Sequence, residues 1–192
     1  MGVREVAVEA YREGVPALAA SVVGGLLAGV VLGGMRGDFG RVDGLLVLVP
    51  ALLATRGNVY GSLGARVATG LHQGLVEPRV RGNRRLYHAV AAALANGLLA
   101  SAFAAVAAFL ILSGTGTAVA PLPVLVTIAL LAGVLSGISL SISVVIVVFA
   151  GYRRGYNPDT LVGPIVTTAG DIFGVAFLLL AVRTVLFVAG GA

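Results

Sequence analysis

Long stretches without a charged residue are the feature that most constrains the fold of this chain. From Leu86 to Tyr152 no residue carries a formal charge, and a helix needs only about 20 apolar residues to cross the hydrocarbon core of a bilayer. Over the whole chain 58% of residues are hydrophobic and 11% are charged, whereas soluble domains average about 45–50% apolar and about 25% charged residues. The sequence therefore predicts an all-α membrane protein.

Counting the uncharged runs predicts five transmembrane helices. The Gly- and Pro-rich stretch 113–123 divides the longest run into a third and a fourth helix. The predicted helices are Pro16–Met35, Gly44–Val76, Leu86–Leu112, Val124–Gly151 and Pro158–Ala189. Residues 16–192 then form one transmembrane domain. Residues 1–15 form a short cytoplasmic segment, whose amphipathic part is expected at the membrane interface.

The second helix is expected to be broken between Pro50 and Asn58. Its uncharged run stops at Arg56, and Pro50 and Gly57 both disfavour a regular helix. Unwound backbone at membrane depth occurs only where it is buried in protein or faces a water-filled cavity. The segment therefore predicts either part of an ion pathway, with Asn58 supplying an amide oxygen, or a Pro/Gly kink capped by Asn58.

The distribution of arginine predicts the orientation in the membrane. The chain has no lysine, and its arginines cluster in the second and fourth connections, whereas the third connection has none. Because cytoplasmic loops are enriched in basic residues, the amino terminus and these two connections are expected in the cytoplasm. The net charge of +5 is thereby explained without nucleic-acid binding. The expected location is the plasma membrane of a prokaryotic cell, as a multi-pass protein.

The absence of lysine and cysteine excludes several kinds of chemistry. Without lysine there is no P-loop for nucleotide hydrolysis and no Schiff base to retinal or pyridoxal phosphate. Without cysteine there is no disulfide, thiolate metal site or cysteine nucleophile. We therefore expect no resident cofactor and no activity driven by nucleotide hydrolysis through a P-loop.

Asp171 is the membrane-embedded residue that most needs an explanation. It falls near the middle of the fifth helix, where a charged residue costs at least about 2.5–3.5 kcal/mol. Helical spacing places Pro164, Thr167, Thr168 and Gly174 on its face, and Pro164 leaves a carbonyl one turn earlier without its usual donor. Carboxylate, hydroxyl and carbonyl oxygens bind hard cations such as Mg²⁺, Ca²⁺, Mn²⁺ or Na⁺. Asp171, Thr167 and Thr168 are therefore the predicted metal site.

An internal salt bridge is the alternative explanation for Asp171. Arg56 lies roughly 18 Å into the second helix, at about 1.5 Å per residue from Gly44, which is a depth similar to that of Asp171. An ion pathway is favoured because ionisable residues inside membranes are functional by default. Arg56 is then a candidate charge partner for Asp171.

Two stripes of small residues predict close helix contacts. In the first helix a small residue recurs every fourth position at Ser21, Gly25, Gly29 and Gly33. In the third helix the same spacing occurs at Ala93, Gly97, Ser101 and Ala105. Small side chains let two backbones approach each other, so both stripes are expected to face other helices.

Two segments resemble one known family. The stretch Pro50–Asn58 and its continuation to His72 resemble the second helix of the MgtE family of magnesium channels and transporters. The likeness is closer still to the eukaryotic solute-carrier relatives of that family, in which a basic residue also precedes Gly-Asn. The segment from Asn157-Pro-Asp159 to Gly170-Asp171 is similar to the fifth helix of the family.

The resemblance implies a homodimer whose ion pathway runs near the two-fold axis, lined by helices two and five. Asp171 would lie at the central ion, and the carbonyl one turn before it belongs to Thr167. The pore-lining residues are then expected to be Pro50, Gly57, Asn58, Pro164 and Gly174. The alternative assembly is a heterodimer with a related half. Two symmetry-related carboxylates would match the charge of one Mg²⁺, which binds one or two carboxylates and keeps several waters.

The resemblance also suggests a difference in regulation. Bacterial members carry a large cytoplasmic magnesium-sensing region before the membrane part, and only Met1–Val15 precede the first helix here. We therefore expect this sensor to be absent. The full-length eukaryotic relatives join two such halves in one chain, and this chain corresponds to one half.

Three classes of function follow from these observations. The favoured one is a divalent-cation channel or transporter, with Mg²⁺ as the bound or transported ion and membrane lipid as the surrounding partner. A sodium-coupled transporter of another ion is the nearest alternative. An intramembrane aspartyl protease would need two membrane aspartates, whereas this chain has one. A subunit that only scaffolds a partner would leave Asp171 unexplained.

Overall fold

The computed structural model describes residues 3–155 and 158–190. This part of the chain is helical, with short connections, and the expected all-α class is confirmed. The helices are α1 (Val3–Gly34), α2 (Arg36–Phe39), α3 (Leu45–His72), α4 (Arg84–Gly114), α5 (Leu122–Arg153) and α6 (Pro158–Gly190). Helix α1 joins the predicted interfacial segment and the predicted first span in a single helix.

Four helices are long and apolar enough to cross a membrane: α3, α4, α5 and the part of α6 from Val162 to Gly190. The apolar part of α1, Leu18–Gly34, extends about 25 Å at 1.5 Å per residue, against a hydrocarbon thickness of about 30 Å. The chain is therefore a multi-pass membrane protein by the length and composition of its helices. The count of five spans is not confirmed and stays a prediction.

The expected break in the second long helix is not observed. Helix α3 continues from Leu45 to His72 across both Pro50 and Gly57. Pro50 removes only one helical hydrogen bond, which the backbone nitrogen of another residue would donate to the carbonyl oxygen of Leu46. An unwound segment in hydrocarbon would leave several backbone groups unpaired at several kcal/mol each, so continuing the helix costs less than opening it.

Contacts between the connections show which helix ends lie together. Arg153 donates a hydrogen bond to the carbonyl of Pro78, so the second and fourth connections share one end of the bundle. At the other end the backbone nitrogen of Ala120 donates to the carbonyl of Asp43 at 2.9 Å. The side chains of Asp38 and Arg183 form an ion pair of 3.6 Å at that same end. The two arginine-rich connections are therefore on one side, as predicted, and their cytoplasmic location stays a prediction.

The core consists of two apolar clusters, one in each half of the bundle. The cluster near the first connection includes Leu48 and Leu52 of α3 and Val175 of α6. The cluster near the second connection includes Tyr60 of α3 and Val166 of α6. Helix α5 contributes to both clusters, and it packs against α3, α4 and α6. The helix turns between the two clusters form a middle layer, which contains the polar residues Arg56, Ser101, Ser136 and Asp171.

The stripe of small residues in α4 lies in the core as predicted. Gly97 faces the buried ring of Tyr60. Ser101 is buried against Gly133 of α5, and its hydroxyl donates to the carbonyl of Gly97 at 2.8 Å. Helices α3, α4 and α5 therefore meet at the ring of Tyr60.

The stripe predicted for the first helix contacts another helix of the chain only in part, through Ser21, which lies against Thr168 of α6. Gly25, Gly29 and Gly33 have open space where a side chain would be, so no other part of the described chain covers them. Gly24 and Ala28 are the residues that face the bundle. The shift arises because α1 has one neighbouring long helix, α6, and the pattern of small residues does not specify which side meets it.

We predict that Gly137→Ala destabilises the fold. The hydroxyl of Tyr60 occupies the position of the added methyl group, and the fully buried ring is held between two helices. Overpacking of this kind costs about 1–3 kcal/mol, which thermal unfolding of the purified protein would measure. The control is Gly25→Ala, whose methyl group meets open space and which should be neutral or slightly stabilising. Equal stability of the two variants would contradict the close packing around Tyr60.

Candidate ion-binding site

Helix α6 packs against α1, α3 and α5, and its side between α1 and α3 is open. Gly163 and Thr167 are exposed on this side, and Asp171 is partly buried. These residues recur every fourth position, so they form one line along the helix. The line leads from the end of the bundle that carries the second and fourth connections to the middle layer of the core.

Thr167 presents its hydroxyl oxygen on this open side. The hydroxyl donates to the carbonyl oxygens of Gly163 and Pro164, each at 3.0 Å, within its own helix. Because the proton is used in these bonds, lone pairs of the oxygen stay available to a cation. Thr167 therefore fits the role of an oxygen ligand or a ligand to a bound water.

Thr168 is turned towards α1 instead of the open side. Its hydroxyl donates to the carbonyl of Pro164 at 2.7 Å and lies 3.0 Å from the hydroxyl of Ser21. Its methyl group lies against Gly24, where any larger residue would overlap it. Thr168 and Ser21 thus hold α1 against α6. The sequence placed Ser21 in a stripe of small residues expected to face another helix, but it did not identify Thr168 as the partner.

Gly174 is the place where the side chain of Arg56 rests. Arg56 is only 4% exposed, and a β-carbon on Gly174 would lie 2.8 Å from its Nη1 atom. Leu53 covers the same glycine. Gly174 is therefore buried, whereas the sequence suggested that it lines the pathway.

The guanidinium of Arg56 has no partner in the part of the chain that the structure describes. All three of its nitrogens are buried without a hydrogen bond, and no ion pair within 4.0 Å joins it to Asp171. Asp171 lies three residues before Gly174, which is about one helical turn. The guanidinium therefore rests about one helical turn from Asp171, but the salt bridge weighed from the sequence is not formed.

Asn58 lies on the side of α3 away from Arg56, because two residues correspond to about half a turn of helix. It is exposed and lines a cavity of about 220 Å³ between α3 and α4, together with Ser62, Arg66 and Asn96. Gly57 is half-buried and Pro50 is exposed on the uninterrupted helix. Within one chain the structure therefore does not bring Asn58 and Asp171 together.

One part of the predicted motif cannot be placed. Asn157 lies outside the described residues, and the side chain of Asp159 does too. The polar residues Ser62 and Asn96 were missed by the sequence analysis. The spacing of Asn58, Ser62 and Arg66 by four positions is the signal that could have found the first of them.

Comparisons with known proteins identify relatives of the chain. A family model for MgtE, described as a divalent cation transporter, matches residues 49–181. Solute carrier family 41 member 3 of Rattus norvegicus is 27% identical over 164 residues, which are 83% of this chain and 36% of that protein. The protein of the same name from Mus musculus is 26% identical over 144 residues, which are 74% of this chain and 30% of that protein. The chain thus spans about a third of the length of these curated relatives.

We predict a measurable coupling between Ser21 and Thr168. In a double-mutant cycle, Ser21→Ala and Thr168→Val should show a coupling free energy of about 0.6 kcal/mol, the average for hydrogen bonds between membrane helices. Thermal unfolding of the four proteins gives this value. The control pairs Ser21→Ala with Thr184→Val, since Thr184 bonds only to the carbonyl of Leu180 in its own helix. Additive effects in the Ser21 and Thr168 cycle would exclude the contact.

Proposed function

The chain belongs to the MgtE family of divalent cation transporters, and we propose that it moves Mg²⁺ across the membrane by way of Asp171. The family consists of transporters and not of enzymes, which agrees with the expectation from the sequence. The proposal adds the identity of the ion, the position of its site and the assembly that completes that site.

The position of Asp171 is the observation that carries this proposal. It is the single acidic residue between Val162 and Gly190, and it lies in the middle layer of the bundle on the open side of α6. A carboxylate at this depth costs several kcal/mol unless a positive charge compensates it. A cation that passes along the open side would supply that charge, with the oxygen of Thr167 one turn away.

Charge balance supports a homodimer as the active assembly. One Asp171 provides one negative charge, whereas a Mg²⁺ ion carries two positive charges. Mg²⁺ keeps several of its waters and is usually held by one or two carboxylates. Two copies of Asp171 near a two-fold axis would neutralise the ion, and the retained waters would complete its octahedral shell.

The exposed side of α3 also supports a second copy of the chain. From Pro50 onwards this helix exposes small, polar or charged residues, which include Pro50, Ala54, Asn58, Ser62, Arg66 and Thr69, whereas its first turn exposes Leu46 and Val47. Helix α1 exposes large apolar residues such as Leu18, Leu26 and Val30, which suit lipid, beside glycines such as Gly25. Polar residues in membrane spans almost always face the bundle interior or a water-filled cavity. We therefore place this side of α3 at the shared pathway, where Asn58 would contribute from the partner or from the same copy.

The other predicted site residues act indirectly in this proposal. Thr168 keeps α1 in place beside the open side, and the carbonyl of Pro164 accepts the hydroxyls that fix both threonines. Gly174 leaves room for Arg56 next to Asp171. Direct binding is thereby assigned to Asp171, Thr167 and water.

We predict that Asp171→Asn abolishes transport while the protein still folds. Asparagine keeps the size of the side chain but removes the charge that compensates the cation, so Mg²⁺ uptake into liposomes containing the purified protein should be lost. Asp43→Asn is the control, because Asp43 is an exposed residue of the first connection, and its flux should stay unchanged. Normal Mg²⁺ uptake by Asp171→Asn would refute the assignment. If the parent protein transports Na⁺ but not Mg²⁺, the result would favour a sodium-coupled transporter of another ion.

We also predict that the transporting species is a two-fold dimer of the 19.2 kDa chain. Its mass follows from native mass spectrometry of the protein released from nanodiscs. The flux assay on the same preparation relates the assembly to activity. A monomer that transports Mg²⁺ at the full rate would contradict the shared pathway.

A further inference from the structure

Arg56 is the charged group that the proposed pathway does not use. Its side chain is 4% exposed, and its three nitrogens lack hydrogen-bond partners among the described residues. Tyr60, one turn further along α3, does not help, because its hydroxyl lies against Gly97 and Gly137 on other helices. An arginine side chain that stays charged almost without exception is very costly in such a place unless an anion compensates it.

Asp171 is the acidic residue that can reach Arg56. The chain has eight acidic residues, and the others lie at the ends of helices or in connections. Glu5, Glu9 and Glu13 are in the first turns of α1, Asp159 is in the first turn of α6, and Asp38, Asp43 and Glu77 belong to the connections. Asp38 pairs with Arg183, and Glu77 pairs with Arg79.

The path between the two charges is short. The guanidinium rests on Gly174, and Asp171 lies about one turn away on the same helix. Because Gly174 has no side chain, nothing projects from the helix at the point where the guanidinium lies. Rotation about the flexible bonds of the arginine side chain would bring the guanidinium from Gly174 towards the carboxylate of Asp171.

We propose that Arg56 is a tethered cation that competes with the transported cation for Asp171. The inference rests on the proposed function of Asp171 as the ion site. When the guanidinium pairs with Asp171, both buried charges are compensated and the site is closed to the ion. When the guanidinium lies at Gly174, Asp171 is open to an ion. Arg56 thus lowers the apparent affinity of the site and promotes release of the ion.

The size of the effect follows from the populations of these two positions. The apparent dissociation constant equals the intrinsic one divided by the fraction of molecules whose site is open. If the guanidinium is paired with Asp171 in about nine of ten molecules, its removal should tighten cation binding about tenfold. Binding that is too tight slows release, so the same change should reduce transport at saturating ion concentration.

The experiment measures the Mg²⁺ and Mn²⁺ affinity of the purified protein by thermal stabilisation at rising ion concentration. Arg56→Met should bind both ions about tenfold more tightly, and Arg56→Lys, which keeps a tethered charge, should remain closer to the parent. Arg56→Met is expected to fold, because an apolar replacement of a buried charge is often neutral or stabilising. Arg36→Met removes the same charge from an exposed position in α2 and should leave the affinity unchanged.

The double variant Arg56→Met with Asp171→Asn separates the two proposals. If it binds the ions no better than Asp171→Asn alone, and Arg56→Met alone binds tightly, both proposals stand. If Asp171→Asn loses binding but Arg56→Met binds like the parent or more weakly, Arg56 has a purely structural role and the competition is refuted. If Asp171→Asn binds like the parent, the ion site itself is wrong.

Discussion

The structure depends on the cost of leaving a polar group without a partner in hydrocarbon. A buried backbone donor or acceptor without a partner costs several kcal/mol there, so α3 continues across Pro50 and Gly57 as one helix. Several hydroxyl groups meet the same constraint, since Ser136 and Thr168 donate to carbonyls of their own helices, whereas the buried hydroxyl of Ser141 has no partner among the described residues. A charge cannot be satisfied in this way. Arg56 and Asp171 are therefore the residues of the middle layer whose charges need a partner outside their own helix.

Close packing of the helices determines where these charges lie. Gly64 of α3 lies against Val162 of α6, where a larger residue would overlap it, and Gly174 of α6 lies against Arg56 of α3. The two helices can approach because glycine occupies each contact. The same absence of a side chain at Gly174 makes room for a guanidinium. Glycine at these positions thus allows the helices to pack closely and also allows the guanidinium to lie near Asp171.

Much of the fold could be predicted from the sequence because burying charge in a membrane is costly, so uncharged runs correspond to membrane helices. The uncharged run Leu86–Leu112 became the helix Arg84–Gly114, and the arginine-rich connections lie together. The direction of each side chain could not be predicted, since it depends on which helices are neighbours. Thr167 and Thr168 are adjacent, yet one is exposed and the other holds α1. The assignment of Asp171 as an ion ligand stays a prediction.

Charge balance links the ion, the carboxylates and the arginines in the dimer that we propose. Two Asp171 and two Arg56 side chains sum to zero, so without an ion the middle layer is neutral when they pair. A bound Mg²⁺ neutralises both carboxylates and leaves two guanidinium groups without their counter-ions, which is unfavourable in a medium of low dielectric constant. This cost opposes strong binding of the ion without blocking its entry. A transporter needs such a compromise, because its site has to release the ion as well as bind it.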